Sequence, residues 1–414
     1  MKRQLCFTLW VILLATFSNS IFAGTYSGGT GEPNDPYQIA DVNDLLALAA
    51  DTNDYNECFI LTADVNMEGQ VFTTAIIAPD TDNSNYGFDG TAFTGTFDGN
   101  GHKITGFTIN PENNNKYIGL FGQINYGGSV KNLGLENFIG GDSSYVIYVG
   151  GLVGQNYYGS IRNCYSKGSV RGVAVVGGLV GWNAGSIINC YSTGSVSGSG
   201  DSGGLAGDNY GSIINCYSTG QVSGYEYTSS WRHVGGLVGW NAGSIINCYT
   251  TGQVSGYEYV GGLVGWNQGI ISNCYSKGAA SGDNFVGGLV GIYQPAEPGH
   301  WGSIDNCYAT GRVTGSSNVG GLLGDSYVAV NKSFWDIETS GQTSSASGEG
   351  KTTAEMKQIN TFTNWDFVET WGIEDNQTYP FLKLTYPVGD LNYDKVVNFL
   401  DLAILASRWL EGAQ

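Results

Sequence analysis

Over the middle of the chain, apolar residues come in short runs, each cut by glycine. One stretch shows the pattern: Val176-Gly177-Gly178-Leu179-Val180-Gly181-Trp182-Asn183-Ala184-Gly185-Ser186-Ile187-Ile188-Asn189-Cys190-Tyr191-Ser192-Thr193-Gly194, closing with Ser195-Val196-Ser197-Gly198. The runs have strand length and carry no helical period. The whole stretch then recurs. Cys164, Cys190, Cys216, Cys248, Cys274 and Cys307 mark successive copies, spaced 26, 26, 32, 26 and 33 residues apart. The unit is therefore 26 residues long, with two insertions, one around residues 225–232 and one around 295–299. A degenerate copy precedes the series at residues 117–140, and a partial one ends it at 319–335.

A unit this small cannot bury its own apolar face, but stacked copies can bury a shared one. The repeat thus predicts an all-β chain wound as a parallel β-helix, right-handed by the rule for parallel crossovers. A β-propeller needs blades of about 40 to 45 residues, so the short unit argues against it. Comparing copies separates inside from outside. The Ile187 position is Ile161, Ile213, Ile245, Ile271 and Ile304 elsewhere and points inward. The next position accepts Arg162, Ser272 and Asp305, and the Thr193 position accepts Lys167 and Lys277, so both point out. Alternation forward from Ile187 and backward from Thr193 agrees only if the chain bends at Asn189. Asn163, Asn189, Asn215, Asn247, Asn273 and Asn306 are therefore expected at a corner, with side-chain amides bonded from coil to coil. The cysteines then form an inward column. In-register neighbours stand about 4.8 Å apart with parallel Cβ directions, which suits buried thiols better than disulfides.

The flanking segments read differently. Lys2 and Arg3, the apolar stretch from Leu5 to Ala15 and Ile21-Phe22-Ala23 have the form of a secretory signal over residues 1–23. The expected mature chain is secreted or displayed at the cell surface, with no membrane span. Residues 24–116 form an N-terminal cap and first coils. Within them Asp41 to Ala50 reads as a capped helix over the open end, and Asp98-Gly99-Asn100-Gly101 as a turn. Residues 117–336 carry the repeats, 337–388 close the far end, and 389–414 change character to an acidic loop followed by a helix.

Composition narrows the function. The chain has 414 residues, with 65 Gly, 26 Tyr, 17 Phe and 10 Trp, and a formal charge of −19. Such an acidic surface repels a phosphate backbone, which excludes nucleic acid as a partner. No His-Glu-x-x-His and no phosphate-binding glycine loop occurs. His102 reads as a turn residue. Asp208, Glu226, Glu258, Asp283, Glu297, Asp305 and Asp325 lie in or beside the repeats. Two of them could approach the separation of glycosidase carboxylates, yet none recurs in phase with a cation. A polysaccharide-degrading lyase or glycoside hydrolase is therefore the alternative to a non-catalytic role. Trp182, Trp240 and Trp266 share one outward phase of the repeat, and Tyr225, Tyr227, Tyr257 and Tyr259 lie on or beside insertions. Such aromatics can hold sugar rings or a protein partner.

At the far end, Asp390, Asn392, Asp394, Asn398 and Asp401 fall at positions 1, 3, 5, 9 and 12 of a loop, with the Val396 carbonyl at 7. These are the oxygen positions of an EF-hand-like calcium site. Lys395 stands where the tight turn usually takes Gly.

Two resemblances accompany these readings. The Gly178-Leu179-Val180-Gly181 core and its copies resemble the GLUG repeat, found in bacterial surface proteins, adhesin-like proteins and exported proteases with β-helical stalks. That resemblance implies an exported, adhesin-like scaffold presenting a face to a glycan or a cell-surface protein. The terminal Asp-x-Asn-x-Asp loop with its Leu-rich helix resembles one half of a type I dockerin. It implies calcium at Asp390, Asn392, Asp394, Asn398 and Asp401, and a cohesin-like partner. Dockerins carry two such halves, and this chain shows one.

Overall fold

The computed structural model describes residues 26–383, except 83, 85, 86, 112–114, 142–146, 226–232 and 295–301. The signal-like segment, Tyr227 and the whole calcium-loop set from Asp390 to Asp401 lie outside the described residues.

Each repeat forms one coil of a parallel β-helix. In a representative coil the strands Val175–Gly177, Val180–Asn183, Ser186–Ile188, Tyr191–Ser192 and Ser195–Gly198 follow in order. Each pairs in parallel with its equivalent one coil on: Val176 with Ser202, Val180 with Ala206, Ile187 with Ile213, Tyr191 with Tyr217 and Val196 with Val222. One ten-stranded and two eight-stranded sheets result, and the last two strands of each coil build a curled fourth surface. The paired glycines permit the tight corner between the first two strands. A Cβ on Gly177 would overlap the Val180 carbonyl oxygen, and one on Gly178 the Gly204 carbonyl oxygen.

The interior is assembled in columns. Leu179, Val180, Ile187, Cys190 and Val196, with their equivalents in adjacent coils, are buried. The inward cysteine column is present and its thiols are free. Each polarises its neighbour: the Cys190 N–H donates to Cys216 Sγ at 3.3 Å, and Cys190 Sγ donates to the Ile188 carbonyl at 3.2 Å. Burial pushes the Cys164, Cys216 and Cys274 thiols well above their ordinary range.

The asparagine corner is also present. Asn163, Asn189, Asn215, Asn247, Asn273 and Asn306 hold φ between +52° and +55°, a left-handed conformation that Asn tolerates better than most residues. Their amides form the expected ladder. Asn189 Nδ2 donates to Asn163 Oδ1 at 3.2 Å, and Asn215 Nδ2 to Asn189 Oδ1 at 3.1 Å. At its start Asn132 Nδ2 donates to the Asp98 carboxylate at 3.0 Å.

A second ladder runs through the interior, one that the repeat analysis did not anticipate. Asn156, Asn183, Asn209, Asn241 and Asn267 are fully buried. Their amides link successive coils at 2.7 to 2.8 Å. Each ladder amide also donates to a carbonyl of the following turn, as Asn183 does to Gly185. Buried amides are tolerable only when satisfied in this way.

On the outer side of the curled surface, Tyr165, Tyr191, Tyr217, Tyr249, Tyr275 and Tyr308 stack. Their ring centroids are 4.8 to 5.0 Å apart and their planes within 11° of parallel. The last two rings are buried under the C-terminal segment. Trp365, Trp371, Phe362 and Met356 pack there with Tyr275 and Tyr308 as a separate apolar cluster.

Both ends of the solenoid are covered. The helix α1, Val42–Ala50, is capped by Asp41, whose carboxylate accepts from the Asn43 and Asp44 amides. Leu45 and Leu48 bury against the first coils. At the other end, residues 344–346 satisfy the last strand edge: Gly321 N–H donates to the Ser344 carbonyl, and Leu323 N–H to Ser345 Oγ. An uncovered edge would otherwise template pairing with another chain.

Candidate binding face

The tryptophan phase divides in two. Trp182 and Trp240 are half-buried and belong to an aromatic strip on the outer surface. Trp182 is stacked against Tyr157 at 6.1 Å and tilted against Tyr210 at 5.3 Å. Tyr210 in turn meets Trp240 edge-on at 5.0 Å. Tyr157 continues to Tyr158 at 4.9 Å and Tyr158 to Tyr126 at 5.8 Å. The strip thus runs across five coils in the order Tyr126, Tyr158, Tyr157, Trp182, Tyr210, Trp240. It is an accessible surface, since Tyr126 is 76% exposed, Tyr158 54% and Tyr210 44%.

Beside it lies an open groove of about 530 Å³. Tyr126 and Tyr158 wall it, and glycines with Ser129, Ser160, Ser186 and Ser212 line it. The serines stand in register from coil to coil. A row of hydroxyls along a row of rings offers hydrogen bonds and apolar faces to the same ligand.

Trp266 does not join the strip. It turns into a seam between the two eight-stranded sheets, with Tyr259 at 5.5 Å and His233 at 4.7 Å. Tyr259 stacks on Phe285 at 4.9 Å. Tyr225 folds back onto the coils: its hydroxyl donates to the Gly172 carbonyl at 2.8 Å, and Arg171 lies over its ring. Tyr257 is 42% exposed and edges a separate groove with Gly256, Gly282 and Asp283. The sequence put Trp240 next to Trp266 and Trp182 two coils from Trp240, and the strand register agrees; what it did not show is that the rings of Trp182 and Trp240 pack with Tyr157 and Tyr210. Those tyrosines occupy the turn after the buried asparagine column, where other copies carry Ala184 and Ala242. Aligning that turn would have shown them.

Among the described residues the candidate carboxylates do not gather at one cleft. Asp305 accepts from Asn331, and Asp208 is buried. Asp201 stands opposite it on the facing column of the seam. Glu226 and Glu297 lie outside the described residues. His102 pairs with Asp64 at 3.2 Å and not with the nearby Asp98. Among the described residues no group of three or more His, Cys, Asp or Glu could hold a metal.

The chain is a parallel β-helix built from a glycine-rich coil of 26 residues that accepts insertions, and comparison with known proteins gives that coil a name. The profile of the GLUG motif matches residues 145–171, 172–197, 232–255, 256–281 and 285–314. The interval between 197 and 232 holds the coil with Asp201 and Asp208. Halomucin of Haloquadratum walsbyi is 33% identical over 162 residues, 37% of this chain and 2% of that protein. A protein of Evansella cellulosilytica, provisionally named a Gly-rich membrane protein, is 40% identical over 73 residues, 16% of this chain and 8% of that protein. The chain thus spans a small fraction of these relatives. A crystal structure from Bacteroides ovatus, provisionally named an immunoglobulin A1 protease, aligns over 87% of this chain and 96% of its own. It is 22% identical, with a TM-score of 0.44. Among the described residues no helix is long and apolar enough to cross a membrane.

Proposed function

We propose that this chain is an exported, non-catalytic surface scaffold that presents the Tyr126–Trp240 strip to a glycan. One observation carries the reading: six aromatic side chains from successive coils run continuously along the outer surface, beside a groove lined with serine hydroxyls. Sugar rings present apolar faces and hydroxyl edges together, and the strip and groove match both. A linear polysaccharide lying along the solenoid axis would meet a ring or a hydroxyl at each coil. The surface-protein reading also draws on the GLUG repeats and on relatives named as a halomucin and a membrane protein. The acidic loop at Asp390, Asn392, Asp394, Val396, Asn398 and Asp401 would bind calcium and attach the scaffold, through a cohesin-like or other partner.

Affinity electrophoresis of the purified chain in gels cast with neutral and acidic polysaccharides tests this reading. Retardation by at least one neutral polysaccharide is expected, and Trp182→Ala with Tyr210→Ala should abolish it. Unaltered migration in all of them would remove the glycan. Release of reducing ends or unsaturated products would favour the enzyme reading instead.

A further inference from the structure

One coil breaks the pattern of the outer seam. Two columns face each other there. Tyr148, Val175, Asp201, His233 and Tyr259 stand on one side, and Gln155, Trp182, Asp208, Trp240 and Trp266 on the other. Asp208 is in register between Trp182 and Trp240, so a carboxyl replaces an indole in the middle of the series. Asp201 faces it, and His233 follows Asp201 one coil on. His233 Nδ1 lies 2.6 Å from Asp201 Oδ1, and those side chains are 1% and 8% exposed. Asp208 is 5% exposed, and its Oδ1 meets no partner among the described residues.

Two carboxylates facing each other across such a buried seam disfavour ionising together. Burial first, and the Asp201 charge and hydrogen bond second, hold the Asp208 proton well above the usual carboxylate range. A neutral Asp208 can donate across the seam to Asp201, whose Oδ1 also lies 2.6 Å from the imidazole. The titratable groups facing the pair among the described residues are Tyr148, Tyr210 and His233, with Tyr259 behind the imidazole at 5.2 Å. Tyr210 follows Asp208 by two residues, and its ring is the link between Trp182 and Trp240 in the aromatic strip.

We propose that Asp201, Asp208 and His233 form a proton-operated catch beneath the aromatic strip. One proton shared by the two carboxyls keeps the seam shut at this coil. Its loss to solvent leaves two buried like charges, which part and release Tyr210 and its flanking tryptophans. The catch works in the same way whether the strip meets a glycan or a protein, so it does not depend on the ligand.

Tryptophan emission of the full chain, followed from about pH 4 to about pH 9, tests the catch with amide hydrogen exchange at both extremes. The wild type should show one reversible emission shift with its midpoint above the ordinary carboxylate range. Exchange should quicken in residues 201–209 and 234–241 but not in 160–170. Asp208→Asn and Asp201→Asn should each lack both changes, because either leaves the seam with no pair of like charges. Should Asp208→Asn not fold, Asp208→Trp, which restores the indole of the adjacent coils, takes its place. A wild type without the shift, or a variant at position 201 or 208 that retains it, overturns the proposal.

Discussion

Asn183 donates its side-chain amide to Asn209 at 2.8 Å, and both residues are completely buried. Asn209 passes the bond on to Asn241, also at 2.8 Å. The interior therefore contains a line of amides in which Asn183, Asn209 and Asn241 each donate to the next coil and accept from the one before. Chains of this kind polarise one another. Replacing Asn209 by Ala strips an acceptor from Asn183 and a donor from Asn241. A buried polar group left unpaired costs about 1–3 kcal/mol, so Asn209→Ala should lose about 2–5 kcal/mol in urea unfolding. Asn209→Leu should do no better despite its greater apolar area. A loss below about 0.5 kcal/mol would mean that the ladder contributes nothing net.

The corner asparagines separate backbone from side-chain effects. At Asn189 the φ of +55° disfavours any residue with a Cβ except Asn or Asp. Asn189→Ala combines left-handed strain of about 1–2 kcal/mol with two lost ladder bonds. Asn189→Gly relieves only the strain. Thermal melts should therefore rank wild type above Gly and Gly above Ala. Equal melting of the two variants would assign the whole effect to the ladder.

The first ring of the tyrosine stack is tied by charge. Glu136 accepts from Lys103 and Lys167, each at 3.0 Å, and from the Tyr165 hydroxyl at 3.1 Å. Burial alone would raise this carboxyl, but those bonds outweigh it and hold it below its ordinary range. Its folded value lies below its unfolded one, so the contribution is present above about pH 4.3 and is lost as pH falls through the folded value. The lysines are partly exposed, so the contribution is below about 1 kcal/mol. Glu136→Gln should lower stability slightly at neutral pH and flatten its acid limb. An unchanged acid limb in the variant would refute this assignment.

Coils in the interior of the solenoid should be removable. Deleting residues 242–267 joins Asn241 to Gln268 in register, because Asn267 pairs with Asn241. The shortened chain should fold cooperatively and scatter X-rays as a rod shorter by about 4.8 Å. A molten or aggregated product would show that the stack depends on a specific coil.

The terminal acidic loop makes a metal prediction. Calcium should raise protection from proteolysis within residues 389–414 and leave the repeats unchanged. Asp390→Ala with Asp394→Ala should cancel the effect. Identical digestion with calcium and with chelator would exclude the site.

What the sequence revealed followed from copies repeating in phase. Ile187 against Ile188 and Thr193 against Ser192 told inside from outside, and only a bend at Asn189 reconciled them. The buried Asn183 column repeats just as regularly, yet a polar residue inside a coil runs against the expectation that amides face water. Its satisfaction depends on neighbours 26 residues away. Tyr157, Tyr158 and Tyr210 occupy a turn where other copies have alanine, so periodicity did not mark them. Asp201 and Asp208 meet because two sheets fold toward each other across a corner. That curvature belongs to the backbone, and no spacing along one strand reports it.

The two asparagine ladders also have direction. In the interior, Asn156 donates toward Asn183 and the C-terminus; at the corner, Asn163 donates toward Asn132 and the N-terminus. The corner series ends on Asp98, a carboxylate that only accepts, whereas the interior series opens at Asn156, whose Oδ1 has no partner among the described residues. Middle coils are therefore interchangeable tiles, while the coil that carries Asp98 terminates the corner ladder with a fixed polarity. A gene of this design can lengthen by copying its centre, whereas a duplicated end would strand a polar group in the wall.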